Sequence, residues 1–415
     1  LKKKVFFKTF GCRTNLYDSQ VMMSSLKEYE ITEDESQADV IVVNSCTVTN
    51  GADSNVRSYI GHVEKNGGAK IFLTGCGAHT KGEKLLLEKR VHGVFGQSEK
   101  EKIDLLLAQE KPFYNPGDLN HIDASVVDDF IGKSRAFIKI QEGCDFRCSY
   151  CIIPFVRGDA RSMDESRIVE QISRLALNGF GEFILTGTNV GSYGQGSQTS
   201  LAKLMKRISQ IRGVRRIRVG SVEPIQIGDE FKEILHEPWL EKHLHIALQH
   251  TSPTMLKLMN RRNVYKQDRE LFEFLHDKGF AIGTDFITGH PGESEALWRE
   301  AMQNTQALPL THLHAFTYSK RDGTKSAIMK PEVNGKVASE RLHELEAVIQ
   351  NKNFEFRKAF RGELEVLIES QKDGLYYGHD QHFNTVLVQS EDDLIGNWIN
   401  ISNYEARGDC NYAQF

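Results

Sequence analysis

Three short apolar runs open the chain, Val5 to Phe10, Asp39 to Val43 and Ile71 to Leu73, and each gives way to small or polar residues and then a cysteine: Gly11-Cys12, Asn44-Ser45-Cys46 and Thr74-Gly75-Cys76. The cysteines recur at intervals close to the ~30 or more residues of a strand-helix-strand unit. Amphipathic stretches over Ser19 to Tyr29 and Val56 to Glu64 supply the intervening helices. Strands alternating with helices predict a parallel sheet, whose ligands gather at the carboxyl ends of the strands. Cys12, Cys46 and Cys76 are therefore expected to converge.

A second series of strand-like runs starts at Arg135 (RAFIKIQ) and continues at Glu182 (EFILTG), Arg216 (RIRVGS), His243 (HLHIALQ), Thr284 (TDFITG) and His312 (HLHAFTYS). Amphipathic stretches such as Ser166 to Asn178, Leu201 to Ile211 and Asp268 to Lys278 separate them. Repeated strand-helix units of this kind predict an open, partial barrel. Past a charged helical stretch, Ser339 to Phe360, the pattern turns to short strands from Glu363, Asn384 and Leu394, punctuated by Gly and Asp, which predicts a small β-barrel. The fold class is α/β, with a parallel N-terminal domain over residues 1–115, a linker over 116–133, a partial barrel over 134–358 and a β-barrel over 359–415. Gly117, Asp118, Asp123, Asp128 and Asp129 mark the linker.

Several domains are also what 415 residues require, since single cores stop growing near ~250-300 residues. Composition is ordinary for a folded protein, with 40% hydrophobic and 26% charged residues. The basic start, LKKKVFFKTFGC, has an apolar stretch interrupted by Lys8, too short for a signal sequence, and no apolar run approaches the ~20 residues that span a bilayer. A cytoplasmic protein without membrane contact is expected. There, thiols stay reduced, so the seven cysteines point to metal binding or catalysis rather than disulfides. A net charge of -4 creates no overall field for nucleic acid. Any RNA must be held by local clusters such as Arg212 to Arg218, Arg261-Arg262 and Lys320 to Lys330.

Glu142-Gly-Cys144-Asp-Phe-Arg-Cys148-Ser-Tyr150-Cys151-Ile-Ile-Pro154 follows the first strand of the barrel. Iron-sulfur cubanes are usually held by four thiolates, so three leave one iron open for chemistry. A structural zinc site is the alternative, and it needs a fourth ligand that this motif lacks.

These residues resemble the radical S-adenosylmethionine superfamily, whose signature is three cysteines spaced by three and then two residues with an aromatic before the last. The similarity extends through GCRTNLYDS, GCDFRCSYCIIPFVRG, LTGTNVGSYG, RVGSVEP, LQHTSPTMLKLMNR, TDFITGHPGESE and FTYSKRDGT. Together they resemble methylthiotransferases, and the C-terminal barrel resembles the TRAM module.

The resemblance implies two 4Fe-4S clusters and S-adenosyl-L-methionine as cofactors, with tRNA as partner; it leaves reductant and sulfur donor unidentified. Cys144, Cys148 and Cys151 would hold the cluster that cleaves S-adenosylmethionine to a 5'-deoxyadenosyl radical. Cys12, Cys46 and Cys76 would hold an auxiliary cluster carrying the sulfur to be inserted. Tyr150, Gly187, Thr188, Asn189, Glu223 and Gln249 would line the cofactor pocket. No further catalytic residue is assigned. Cys410 matches no motif, and the pairs His243/His245 and His312/His314, each on one face of a strand like a metal-binding pair, lack a further ligand; all are expected to be structural.

The family methylthiolates C2 of a modified adenosine beside the tRNA anticodon, or an aspartate of a ribosomal protein. GCRTNLYDS and GCDFRCSYCIIPFVRG look closest to the threonylcarbamoyladenosine branch, with isopentenyladenosine the runner-up and the ribosomal protein third. A substrate carboxylate calls for arginine, and Arg157, Arg161, Arg261 and Arg262 lie in loops expected to face the open end of the barrel. From Arg361 onward the chain is acidic, so any RNA contact there would use aromatics such as Tyr376, Tyr377 and Phe383. A non-catalytic iron-sulfur RNA-binding protein is the competing class, and it would need no adenosyl pocket.

Overall fold

The computed structural model describes residues 2–122, 125–127, 130 and 134–415. Its first sheet contains β1 (Lys4–Thr9), β2 (Glu30–Ile31), β3 (Val40–Ser45), β4 (Lys70–Gly75), β5 (Gly93–Phe95) and β6 (Phe113–Asn115). All are parallel, in the order β2-β1-β3-β4-β5-β6. Along β3 the side chains alternate between two cores: Ile41 and Val43 join Ile60 and Leu73, while Val40 and Val42 join Phe72 and Phe95. Burial on both faces is why this strand reads as an unbroken apolar run. Chain order reverses between β1 and β3, and such a switch point leaves a crevice at the strands' carboxyl ends. Cys12 and Cys46 follow those two strands, and Cys76 follows β4.

Helix α1 (Arg13–Ser25) starts directly after Cys12, well before the Ser19 expected from the sequence. The reason is chemical: its first turns bury Thr14, Asn15, Asp18 and Ser19, so hydrophobic periodicity cannot mark them. Helix α2 (Asn50–Asn66) is capped by Thr49, whose hydroxyl accepts from the Ala52 N–H at 3.1 Å.

The central region contains β7 (Ala136–Lys139), β8 (Gln141–Glu142), β9 (Arg161–Ser162), β10 (Glu182–Thr186), β11 (Arg216–Val219), β12 (His243–His245), β13 (Ala281–Thr288) and β14 (His312–Thr317). β8 and β9 form a small antiparallel ladder of their own. Two parallel triplets, β7-β10-β11 and β12-β13-β14, meet through single bridges at Ile217–Leu240 and Val222–Ile246. The result is an open arc with β7 and β14 as its free ends. The N-terminal sheet reaches both ends. Tyr17 and Val21 of α1 enter the central core beside β7, and Arg321, beyond β14, donates to Asp53 (2.6 Å) and Asn50 (2.5 Å) of α2. From the expected linker, Val127 and Phe130 are buried in the same core; Asp123, Asp128 and Asp129 lie outside the described residues.

Six strands form the curled C-terminal sheet, where the sequence pattern shows three: β15 (Leu364–Lys372), β16 (Leu375–His379), β17 (Thr385–Gln389), β18 (Trp398–Ile401), β19 (Glu405–Arg407) and β20 (Cys410–Gln414). Their order is β18-β15-β16-β17-β20-β19. This module covers the amino ends of the barrel strands, opposite the cysteines. Trp398 lies 4.4 and 4.7 Å from the Arg215 and Arg216 guanidinium groups, and Phe383 stacks on His243 at 5.2 Å. Two of the aromatics expected to be available to RNA are therefore occupied, because Tyr376 is also buried in the module's core. Part of the Arg212 to Arg218 cluster is likewise drawn inward: Arg216 pairs with Glu182 (3.1 Å) and Glu365 (2.9 Å), and Arg218 with Glu182 (2.6 Å), while Arg212 and Arg215 stay exposed. Among the described residues, no helix is long and apolar enough to cross a membrane.

Candidate functional site

The loop after β8 carries Cys144, Cys148 and Cys151. Gly143 enters it at φ +72°, and a Cβ there would lie 1.9 Å from the Asp159 carbonyl oxygen, so both the turn and the close approach require glycine. Donors point at the sulfurs. The Phe146 N–H lies 3.4 Å and the Asn189 Nδ2 3.6 Å from Cys144 Sγ, and Arg261 Nη1 is 3.6 Å from Cys148 Sγ. Burial pushes the Cys151 thiol up to about 12, with Cys148 and Cys144 adding to the effect. Three neighbouring, half-buried thiols with donors aimed at sulfur fit a metal cluster, whose coordination removes the thiol protons.

Five of the six expected cofactor residues gather at this loop. Gly187 passes so close to the Gln141 backbone that a Cβ would meet its carbonyl oxygen at 2.7 Å. Thr188 Oγ1 accepts from Gly143 N at 3.2 Å, and Asn189 N donates to Gln141 Oε1 at 2.7 Å. Asn189 Oδ1 is buried without a hydrogen-bond partner among the described residues, an acceptor left open for a donor group on a ligand. Glu223 accepts from Arg261 in a two-pronged pair, one contact being 2.8 Å. Tyr150 sits among Met255, Met259 and Ile287. Gln249 stands one strand away, its left-handed backbone (φ +67°) bridging to β13.

The second triplet is also assembled. A Cβ on Gly11 (φ +98°) would lie 2.6 Å from Cys46 Cβ, which shows how tightly the Cys12 and Cys46 loops meet. Burial pushes the Cys46 thiol up to about 11, and Cys76 and Cys12 push it further. Cys76 packs against Ile152 and Val156, the residues that follow Cys151, so the two triplets share a wall. Among the described residues no group of three His, Cys, Asp or Glu is placed to hold a single metal ion. Each triplet is a set of loop-borne thiols rather than a preformed site for one ion.

That shared wall holds a buried ionic network that sequence patterns do not mark. Asp18 accepts from Lys139 (2.6 Å), Arg157 (2.8 Å) and Lys100 (3.1 Å), and Lys139 also donates to Glu142 at 2.8 Å. Arg157 donates further to Glu142 and Asn15, and its Nε lies 3.2 Å from Cys76 Sγ. Burial opposes ionisation of Asp18, but Lys100, Lys139 and Arg157 outweigh it and hold the carboxyl well below its usual range. The one signal in the sequence was polar residues at helix positions facing a core.

The four arginines considered for a substrate carboxylate separate. Arg157 is buried in this network. Arg161 donates to the carbonyls of His121 (2.6 Å) and Arg157 (2.8 Å), and Arg261 is committed to Glu223. Arg262 is exposed, lies 4.1 Å from the Phe146 ring centroid, and lines a cleft of about 360 Å3 with Phe146, Tyr193, Gln195, Thr199 and Gln226. Among the described residues no carboxylate pairs with it.

Of the histidine pairs only His243 is buried, and His314 is exposed. His243 and His312 stand edge to face at 4.7 Å, while His245 and His314 each lie 3.2 Å from Asp285 Oδ1.

Comparison with known proteins agrees with this geometry. Residues 4–96 match the uncharacterized protein family UPF0004 and residues 138–304 match the radical SAM superfamily. A putative methylthiotransferase of Helicobacter pylori strain J99 is 50% identical, covering 100% of both chains. The threonylcarbamoyladenosine tRNA methylthiotransferase MtaB of Bacillus subtilis is 33% identical over 99% of this chain and 96% of its own. A tRNA-2-methylthio-N(6)-dimethylallyladenosine synthase of Fervidobacterium nodosum is 32% identical over 95% and 94%. Among solved structures, the radical S-adenosylmethionine methyltransferase TsrM of Kitasatospora setae shares the fold, with a TM-score of 0.61 at 16% identity, covering 79% of this chain and 77% of that one. The chain belongs to the radical SAM methylthiotransferase family, transferases of methylthio groups that use S-adenosylmethionine and 4Fe-4S clusters.

Proposed function

We propose that this protein methylthiolates C2 of N6-threonylcarbamoyladenosine beside the anticodon of tRNA. Cys144, Cys148 and Cys151 hold the cluster that binds S-adenosylmethionine, and Cys12, Cys46 and Cys76 hold the auxiliary cluster, within modules spanning residues 134–358 and 1–115. The bound cofactors supply an adenosyl radical and the sulfur to be transferred. The protein orients them and excludes water. Asn189 Oδ1 offers an acceptor to the cofactor, and Tyr150, Gly187, Thr188, Glu223 and Gln249 shape its pocket. The RNA approaches the cysteine end of the barrel, since the opposite end is covered by the C-terminal module.

The choice of base rests on Arg262. It is the exposed cation of a cleft of mixed polar and apolar lining beside the Cys144 loop, and threonylcarbamoyl carries a carboxylate where isopentenyl is wholly apolar. Arg262→Met is expected to raise KM for threonylcarbamoyl tRNA at least tenfold, in line with the ~1.5-3 kcal/mol of a charged hydrogen bond, while S-adenosylmethionine cleavage continues. Turnover of isopentenyl tRNA with threonylcarbamoyl tRNA left untouched would overturn the assignment.

A further inference from the structure

Sequence alone assigns Arg157 to the substrate, and the structure gives it other work. Its side chain is 3% exposed and Cys76 is 4% exposed. The guanidinium is held from several directions. Nη1 donates to Asp18 (2.8 Å) and Glu142, and Nη2 donates to Asn15, which leaves Nε–H directed at Cys76 Sγ at 3.2 Å. Asp18 and Asn15 come from α1, whereas Glu142 belongs to the strand before the Cys144 loop. The planar fork of arginine can satisfy all these acceptors at once, which the single ammonium of lysine cannot.

We propose that Arg157 is a positioning residue that sets the reduction potential of the auxiliary cluster through its hydrogen bond to the Cys76 sulfur. The inference rests on the proposal above that Cys76 is a cluster ligand. Hydrogen bonds to the sulfurs, net charge and burial are what tune such clusters. A cation beside a ligand sulfur favours the reduced, more negative state and so raises the potential. Burial removes the solvent screening that would otherwise weaken the effect, and arginine keeps its charge at any working pH. The corresponding contact at the other triplet, Arg261 to Cys148, is longer at 3.6 Å, and among the described residues Glu223 faces that guanidinium alone, whereas the carboxylates beside Arg157, Asp18 and Glu142, are shared with Lys100 and Lys139. The two clusters therefore experience different fields from superficially similar arginines.

The test uses the full chain with Cys144, Cys148 and Cys151 replaced by Ala, reconstituted anaerobically, so that only the auxiliary cluster contributes. Iron is counted, and the midpoint potential is read by EPR-monitored titration. Arg157→Lys is expected to retain about four irons, as one cubane requires, with a midpoint displaced to more negative potential. Asp18→Asn, which leaves the N–H on the sulfur, is expected to give an unchanged or more positive midpoint. Should Arg157→Lys fail to fold, Arg157→Gln combined with Asp18→Asn removes one charge of each sign and is read against Asp18→Asn alone, again with a negative displacement expected. An unchanged midpoint at equal iron content overturns the proposal. So does a folded Arg157→Lys protein that holds no iron, since Arg157 would then retain the cluster rather than tune it. Cys76→Ala in the same background is the separate control: if it keeps all its iron, the ligand assignment fails independently of the tuning.

Discussion

Replacing Asp18 with Asn tests whether the network at the shared wall stabilises the protein. Asp18 is fully buried and takes three cationic donors at 2.6 to 3.1 Å, from α1 outward to both the N-terminal and central modules. Asn keeps the shape and one acceptor oxygen but removes the charge. Taking one partner out of a buried ion pair costs about 3-5 kcal/mol, because the remaining charge stays desolvated. Each kcal/mol moves the melting temperature of a domain this size by roughly 2-4 °C, so a fall of about 6-20 °C is expected. Glu64→Gln is the control, breaking the 2.9 Å pair to Arg90, where 35% of the glutamate and 26% of the arginine side chain are exposed. Such pairs contribute only ~0-1 kcal/mol. Both variants are melted anaerobically under circular dichroism with reductant present. If Asp18→Asn melts within the range of Glu64→Gln, the network contributes no net stability and the reasoning is wrong.

Acid is expected to weaken the fold in two stages. Burial, reinforced by neighbouring histidines, pushes His243 well below its ordinary value and His312 down to about 3; the unfolded chain binds protons there first, so stability is lost as pH falls from about 6.5, and a melting temperature that stays flat between pH 7 and 5 would count against it. Glu142 follows: burial raises its pKa, but Lys139 and Arg157 outweigh that and bring it to about 2, so its contribution persists above its ordinary value of 4.5 and disappears on the way down to about 2. Gly143→Ala, which forces a side chain into a left-handed turn against Asp159, is expected to lower reconstituted iron to about half of a two-cluster protein and to abolish S-adenosylmethionine cleavage; full iron content with normal cleavage would show that the loop tolerates the change.

The parallel strands were legible because period and burial agree: β3 and β4 are apolar on both faces, and their cysteines fall where the chain leaves the sheet. The barrel strands were legible for the same reason. α1 was misplaced because it buries Asn15 and Asp18, which only a partner on another segment can satisfy. Short strands such as β5, β6, β16, β19 and β20 owe their state to neighbours rather than to their own pattern. At the site, cysteine spacing carried the triplets, whereas arginine identity said nothing about commitment. Arg157 and Arg262 read alike in sequence; one is locked between Asp18, Glu142 and Cys76, the other faces an open cleft.

Cys12→Ala tests on one sample whether the two cysteine triplets do different work. Anaerobically reconstituted variant is incubated with S-adenosylmethionine, reductant and threonylcarbamoyl tRNA, and 5'-deoxyadenosine and methylthiolated nucleoside are quantified together. Continued 5'-deoxyadenosine formation with no methylthiolated nucleoside is the predicted result. Loss of both products while the Cys144-Cys148-Cys151 cluster remains spectroscopically intact, or retention of both, would contradict it.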